Sequence, residues 1–212
     1  MGRIAPGGYR LAAPFALLSV VFGIAGVLRR RGVLGAASVL VAVLAGGVVA
    51  FHRDPERTPP PEGVVSPADG TVSVIREEDD RVLVGVYMSP TSVHVNRAPM
   101  DGTVTGVEHV PGSNVPAFDK DSDRNERVHV TFEEFRVTLI AGAVARRIHP
   151  YVEAGDDPDR GDRIGHISFG SRVDTLLPAA YDRSDLDVAE GDAVRAGETV
   201  IATGQDTNGT AG

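Results

Sequence analysis

Gly170-Ser171 lies between two β-rich runs in Ile167-Ser168-Phe169-Gly170-Ser171-Arg172-Val173-Asp174, and here the chain could react with itself. A serine hydroxyl can attack the carbonyl of the residue before it, since a glycine adds no side chain to block the approach. The product would be a chain cut at its own backbone. An ordinary surface turn ahead of a strand is the competing reading. A serine needs a base, and His94 stands apart from the other histidines by its company. It lies in Met88-Ser89-Pro90-Thr91-Ser92-Val93-His94-Val95-Asn96-Arg97-Ala98-Pro99, a polar segment directly after an expected strand ending at Tyr87. An imidazole, the Asn96 amide and the Arg97 guanidinium would thus be presented together at a strand end. Asp69, in Ser66-Pro67-Ala68-Asp69-Gly70, adds a carboxylate between two apolar runs and also reads as a turn-forming Asp-Gly. His52, His109, His129, His149 and His166 read as structural or exposed.

Other chemistries find little footing. Histidine spacing does not match a zinc site, and the run Asp119 to Arg124 lacks a full calcium-loop pattern, so no metal is expected. The chain has no G-x-G-x-x-G, Walker-type loop or G-x-S-x-G elbow, which disfavours standard nucleotide enzymes and α/β-hydrolases. With no cysteine there is neither disulfide framework nor thiolate nucleophile.

The elements that must position these residues fall into two parts. Leu11 to Leu28 and Val33 to Phe51 are apolar runs of eighteen and nineteen residues, joined by Arg29-Arg30-Arg31-Gly32. Each approaches the roughly 20 residues a helix needs to cross a bilayer core. Residues 1–51 therefore read as a transmembrane helical hairpin; a secretory signal peptide would not be followed by a second apolar run. Residues 52–62 form a charged, proline-rich linker ending in Thr58-Pro59-Pro60-Pro61. From 63 to 212 the pattern is short β-rich runs punctuated by glycine, with alternation in Val128-His129-Val130-Thr131-Phe132 and no sustained helical period.

A repeat, V-x-x-G-D-x4-G-[DE]-x-[VI], occurs at 152–164 and 188–200. Such glycine turns are similar to those of the small β sandwiches that carry biotinyl and lipoyl groups. The expected fold is mainly β, a sandwich or barrel-sandwich with lipoyl-like turns. Neither copy holds a modifiable lysine, which argues against a carrier function.

Charge divides along the same line. Residues 1–51 hold five arginines and no acid, whereas residues 52–212 carry sixteen basic against twenty-nine acidic residues, a formal −13. An acidic domain with one lysine, Lys120, repels phosphate backbones, which excludes nucleic acid as a partner. Abundant carboxylates with almost no lysine suit concentrated salt, where repulsion is screened within about 3 Å at 1 M. The arginines of the loop and of the flanks leave membrane orientation open.

F-x-R-D-P-x-R at 51–57, V-S-P-A-D-G at 65–70, M-S-P-x-x-V-H-x-N-R-x-P at 88–99, N-E-R at 125–127, I-A-G-x-x-A-R-R-I at 140–148 and F-G-S-R-V-D at 169–174 together resemble the phosphatidylserine decarboxylase family, in its short proenzyme form. The resemblance implies autocatalytic cleavage between Gly170 and Ser171, giving chains 1–170 and 171–212 and turning Ser171 into a pyruvoyl cofactor. It places the family's histidine and aspartate on His94 and Asp69, an Asp-His-Ser relay in which Asp69 orients the imidazole. It further implies a serine phospholipid, archaetidylserine or phosphatidylserine, held as a Schiff base and decarboxylated to the ethanolamine lipid, with His94 returning a proton. The catalytic domain would lie on the cytoplasmic side of the cell membrane. Arg172 could contact substrate or form a salt bridge with Asp174, and Asn96 and Arg97 could line the same pocket. A homo-oligomer stays open, as does an inactive membrane-anchored β-sandwich that binds lipid or a partner.

Overall fold

The computed structural model describes residues 3–5, 8–112, 124–142, 148–167 and 171–204. Gly170, Lys120 and the acidic run up to residue 123 lie outside the described residues. The chain divides into two compact units, Met1–Glu56 and Arg57–Gly212.

In the first unit, strand β1 (Arg3–Ile4) leads to helices α1 (Gly8–Leu28) and α2 (Gly32–Phe51), and β2 (Arg53–Asp54) pairs antiparallel with β1. Both helices are long and apolar enough to cross a bilayer. They form a hairpin whose small residues allow close approach: a Cβ added at Gly26 would lie 3.0 Å from the Gly35 nitrogen. Ser19 Oγ donates to the Ser38 carbonyl at 2.9 Å and Ser38 Oγ to the Ser19 carbonyl at 2.8 Å, so neither hydroxyl is left unsatisfied between apolar helices.

Among the described residues the regular structure of the second unit is β, apart from short 3-10 turns. Its strands are β3 (Val64–Val65), β4 (Gly70–Glu78), β5 (Arg81–Met88), β6 (Val95–Arg97), β7 (Val104–Val110), β8 (Arg127–Phe132), β9 (Arg136–Ala141), β10 (Ile148–Pro150), β11 (Arg163–Ile167), β12 (Ser171–Leu176), β13 (Ala193–Val194) and β14 (Val200–Ala202). A seven-stranded sheet runs β13-β4-β5-β12-β9-β8-β7, a three-stranded sheet β10-β11-β6, and β14 pairs with β3, all antiparallel. Val72, Val84, Val86, Val130, Val137, Leu139 and Val173 of the large sheet share one core with Val64, Ile164, Ile167 and Ile201 of the smaller ones. Each such side chain contributes roughly 1.5–3 kcal/mol on burial. A mainly β sandwich that follows an apolar helical hairpin in sequence is thus the fold.

The repeated glycine turns are built alike. Gly155 and Gly191 have φ of 97° and 99°, and Gly161 and Gly197 have 87° and 70°, values that favour glycine. Their partners reveal a second repeat: S-P-A-D-G-T-V at 66–72 and A-P-M-D-G-T-V at 98–104. Gly191 N–H donates to Val72 O and Gly155 N–H to Val104 O, both at 2.8 Å. Gly197 N–H donates to Ser66 O at 2.8 Å and Gly161 N–H to Ala98 O at 2.9 Å. The unit is therefore internally twofold in its hydrogen bonding, with each P-x-D-G segment clasped by one glycine-turn segment.

Candidate active site

Ser171 opens β12, the middle strand of seven, and pairs with Met88 on β5 and Ala141 on β9. All six residues of β12 are buried. Alternation puts Ser171, Val173 and Thr175 on the face that carries the core, and Arg172, Asp174 and Leu176 on the other. A surface turn ahead of the strand is therefore the wrong picture of Ser171, which has no exposed surface at all. Its Oγ donates to Met88 Sδ at 3.3 Å, and Asn96 Nδ2 donates to the same sulfur at 3.5 Å. A thioether is a weak acceptor, so it orients the hydroxyl without holding its proton strongly.

His94 is buried just ahead of β6, and its carbonyl accepts from the Ile167 N–H at 3.2 Å. Its backbone is thus bonded to β11, four residues before Ser171. His94 Nδ1 lies 2.9 Å from the Ser92 carbonyl. A carbonyl can only accept, so Nδ1 carries the proton, and in the neutral ring the buried Nε2 is the basic nitrogen.

Asp69 is occupied elsewhere. Arg57 NH2 donates to both of its oxygens, at 3.2 and 3.0 Å, and the Ala196 N–H donates to Oδ1 at 2.9 Å. Arg57 NH1 reaches Glu198 at 2.7 Å. His94 is not among the partners of this carboxylate, and the acceptor that orients the imidazole is the Ser92 carbonyl. The twin residue Asp101 accepts from the Arg160 N–H at 2.6 Å, the position equivalent to Ala196. Both aspartates thus close the same clasp, and among the described residues Asp69 adds a part-buried arginine. Arg57 lies within F-x-R-D-P-x-R, and the sequence signal for its partner is the pairing of Asp69 with Asp101 in two like P-x-D-G segments.

The other expected site residues separate. Arg97 NH1 donates to the Gly161 carbonyl at 2.7 Å, and a Cβ at Gly197 would come within 2.9 Å of Arg97 Cδ, so this side chain braces the two glycine turns. Arg172 Nε and NH2 donate to the two oxygens of Asp174, each at 2.8 Å, the salt bridge expected as an alternative to substrate contact. Asn96 alone of the three stands beside Met88 and, through it, Ser171. Its Oδ1 is buried with no hydrogen-bond partner among the described residues. His149 and His166 stack across strands with ring centroids 4.5 Å apart, and Tyr151 Oη lies 2.7 Å from His166 Nδ1.

A groove of about 490 Å³ opens on the opposite face of the large sheet, lined among others by Arg76, Glu78, Arg127, His129, Arg136 and Asp174. Ser171 is not part of it. Burial, then the nearby Arg136 and Arg127, lower the pKa of His129, whose Nδ1 lies 3.0 Å from Thr138 Oγ1. Among the described residues no cluster of three or more histidine, cysteine or acidic side chains could hold a metal.

Fold and site define a class: a β-rich domain that follows an apolar helical hairpin in sequence, with a buried serine at the head of its central strand and a histidine whose backbone carbonyl is bonded to the strand before it. Residues 44–202 match the family described as Phosphatidylserine decarboxylase. A Halobacterium salinarum protein named "Putative archaetidylserine decarboxylase proenzyme" is 58% identical over 89% of this chain and 94% of its own length. A Streptomyces avermitilis "Phosphatidylserine decarboxylase proenzyme" is 51% identical over 82% of this chain and 81% of its own. The chain belongs to the phosphatidylserine decarboxylase family, a family of carboxy-lyases.

Proposed function

We propose that this chain cuts itself between Gly170 and Ser171 and then decarboxylates a membrane lipid with a serine headgroup, leaving the ethanolamine lipid. The observation that carries the reading is the placement of Ser171, fully buried at the head of the central strand with its hydroxyl aimed at a sulfur. Cleavage begins with Oγ bonding to the Gly170 carbonyl carbon while the peptide C–N bond breaks, which leaves an ester. Loss of the Ser171 α-proton expels the Gly170 carboxylate and leaves dehydroalanine; water then replaces its nitrogen, releasing ammonia and a pyruvoyl end. His94 Nε2 takes the hydroxyl proton in the first step.

The surroundings of Ser171 fit that change. A hydroxyl is a donor, whereas a pyruvoyl end only accepts. A strong acceptor in place of Met88 would be left as a buried orphan costing about 1–3 kcal/mol. A thioether gives up little when its donor disappears. The pyruvoyl group supplies a carbonyl that can take the substrate amine and an electron sink for the bond to carbon dioxide. The chain contributes the dry site, Asn96 beside residue 171, and His94 to return a proton to the substrate α-carbon. Asp69 contributes as a positioning residue, closing the clasp between 66–72 and 188–200.

The helical hairpin suits a lipid substrate, holding the domain at the interface, and we assign the domain to the cytoplasmic side. Purified wild-type chain should appear under denaturing conditions as two chains whose summed mass equals that of the uncut chain plus one water minus one ammonia. Ser171→Ala should remain one band near 22 kDa; two bands from that variant would sink the assignment. Supplying archaetidylserine and phosphatidylserine separately, and following carbon dioxide and ethanolamine-lipid formation, reads the lipid preference. Turnover of neither would sink the function.

A further inference from the structure

Asn96 shares the Met88 sulfur with the reacting residue and carries an unmet polar atom. Its Nδ2 is anchored on Met88 Sδ at 3.5 Å, the sulfur that also takes the Ser171 hydroxyl at 3.3 Å. Its Oδ1 has no partner among the described residues, and the side chain is completely buried. Leaving an amide oxygen so costs about 1–3 kcal/mol. The orientation is not arbitrary, because a sulfur only accepts and therefore selects the NH2 end, turning the oxygen elsewhere. Nothing in the cutting of the backbone needs this acceptor: residue 171 has its hydroxyl on Met88 and its proton goes to an imidazole.

The second reaction does bring a donor. A serine headgroup enters with a primary amine, which must arrive at residue 171 with its N–H bonds satisfied and its lone pair free. Arg97 and Arg172 have only donors and cannot accept from that amine, and they are engaged with the Gly161 carbonyl and with Asp174. We propose that Asn96 Oδ1 is the acceptor for the substrate amino group, held in register by the Met88 sulfur. It makes Asn96 a binding residue for a headgroup that brings a hydrogen-bond donor, and a quaternary ammonium headgroup, which has none on its nitrogen, would leave Oδ1 unmet. The inference rests on the function proposed above, since it names what receives that substrate.

The test separates the two reactions. Asn96→Ala should be cut into two chains at a rate within about twofold of wild type, because cutting involves no amine. Its KM for the serine lipid should rise at least tenfold, with kcat changing much less. Asn96→Asp keeps an acceptor in nearly the same volume and should recover most of the lost affinity. Met88→Leu, close to volume-conserving, frees the anchor and should give a smaller KM increase, read on the fraction of chain that is cut. Thermal melts of each variant identify one that fails to fold, in which case Met88→Leu carries the test. A variant of Asn96 that is cut and turns over with unchanged KM overturns the proposal, as does Asn96→Ala being blocked in cutting while still folded. A wild-type chain that is not cut would instead defeat the underlying function.

Discussion

Arg172 and Asp174 place two opposite charges two residues apart on one face of a buried strand, with side-chain exposures of 7% and 5%. A bidentate pair satisfies both groups. Removing one member takes this bidentate partner from the other at a buried position, a loss of about 3–5 kcal/mol. Arg172→Met should therefore lower the urea midpoint strongly, and Arg172→Met with Asp174→Leu should recover much of it. Equal destabilisation in the single and double variants would show that the pair is not the reason these residues are tolerated. His129 gives a second prediction at this scale. Its folded pKa is depressed, by burial first and by Arg136 and Arg127 next, so the unfolded chain binds the proton more readily. Its contribution is complete above the unfolded value of about 6.5 and is lost as pH falls from there through the lower folded value. Melting temperatures between pH 7 and 5 should fall less steeply in His129→Gln than in wild type.

At the scale of elements, the β4–β5 ladder brings the Asp69 clasp to the site. Gly70 approaches so closely that a Cβ would sit 2.0 Å from the Tyr87 carbonyl oxygen, which belongs to the backbone and cannot step aside. Tyr87 is bonded into the ladder one rung from the Met88–Ser171 pair. Gly70→Ala should therefore prise β4 from β5 and slow the appearance of the two chains on a gel. Normal cutting in a folded Gly70→Ala chain would separate this ladder from the site. The Asp69 clasp predicts differently: Asp69→Asn keeps an oxygen for the Ala196 N–H but loses the charge facing Arg57. If Asp69 positions through the clasp, Asp69→Asn should destabilise the fold without shifting the pH profile of cutting. A shifted profile would mean that the carboxylate acts on His94 after all.

Across the whole molecule the charge is uneven, five arginines and no acid in residues 1–51 against −13 in the rest. Repulsion among those carboxylates weakens as salt rises, with a screening length near 10 Å at 0.1 M and about 3 Å at 1 M. The thermal midpoint of the β unit should climb between 0.1 and 2 M salt, and a flat response would remove the argument for a saline interior.

Two kinds of information were legible in the chain alone. Apolar runs and glycine turns act over a few residues, so hydropathy and turn chemistry marked the hairpin, the β class and the repeated turns. An ordered set of short motifs likewise pointed to Ser171, His94 and Asp69 as a group. Partnership was not legible, because it depends on which segments a fold of non-local strand pairs brings together. Only the tertiary structure turned Ser171 inward onto Met88, oriented His94 by a neighbouring carbonyl, committed Asp69 to Arg57 and Arg172 to Asp174, and left the Asn96 oxygen unmet. A side chain's chemistry is written in its type, but what it can do is decided by the groups that reach it and by the water kept away.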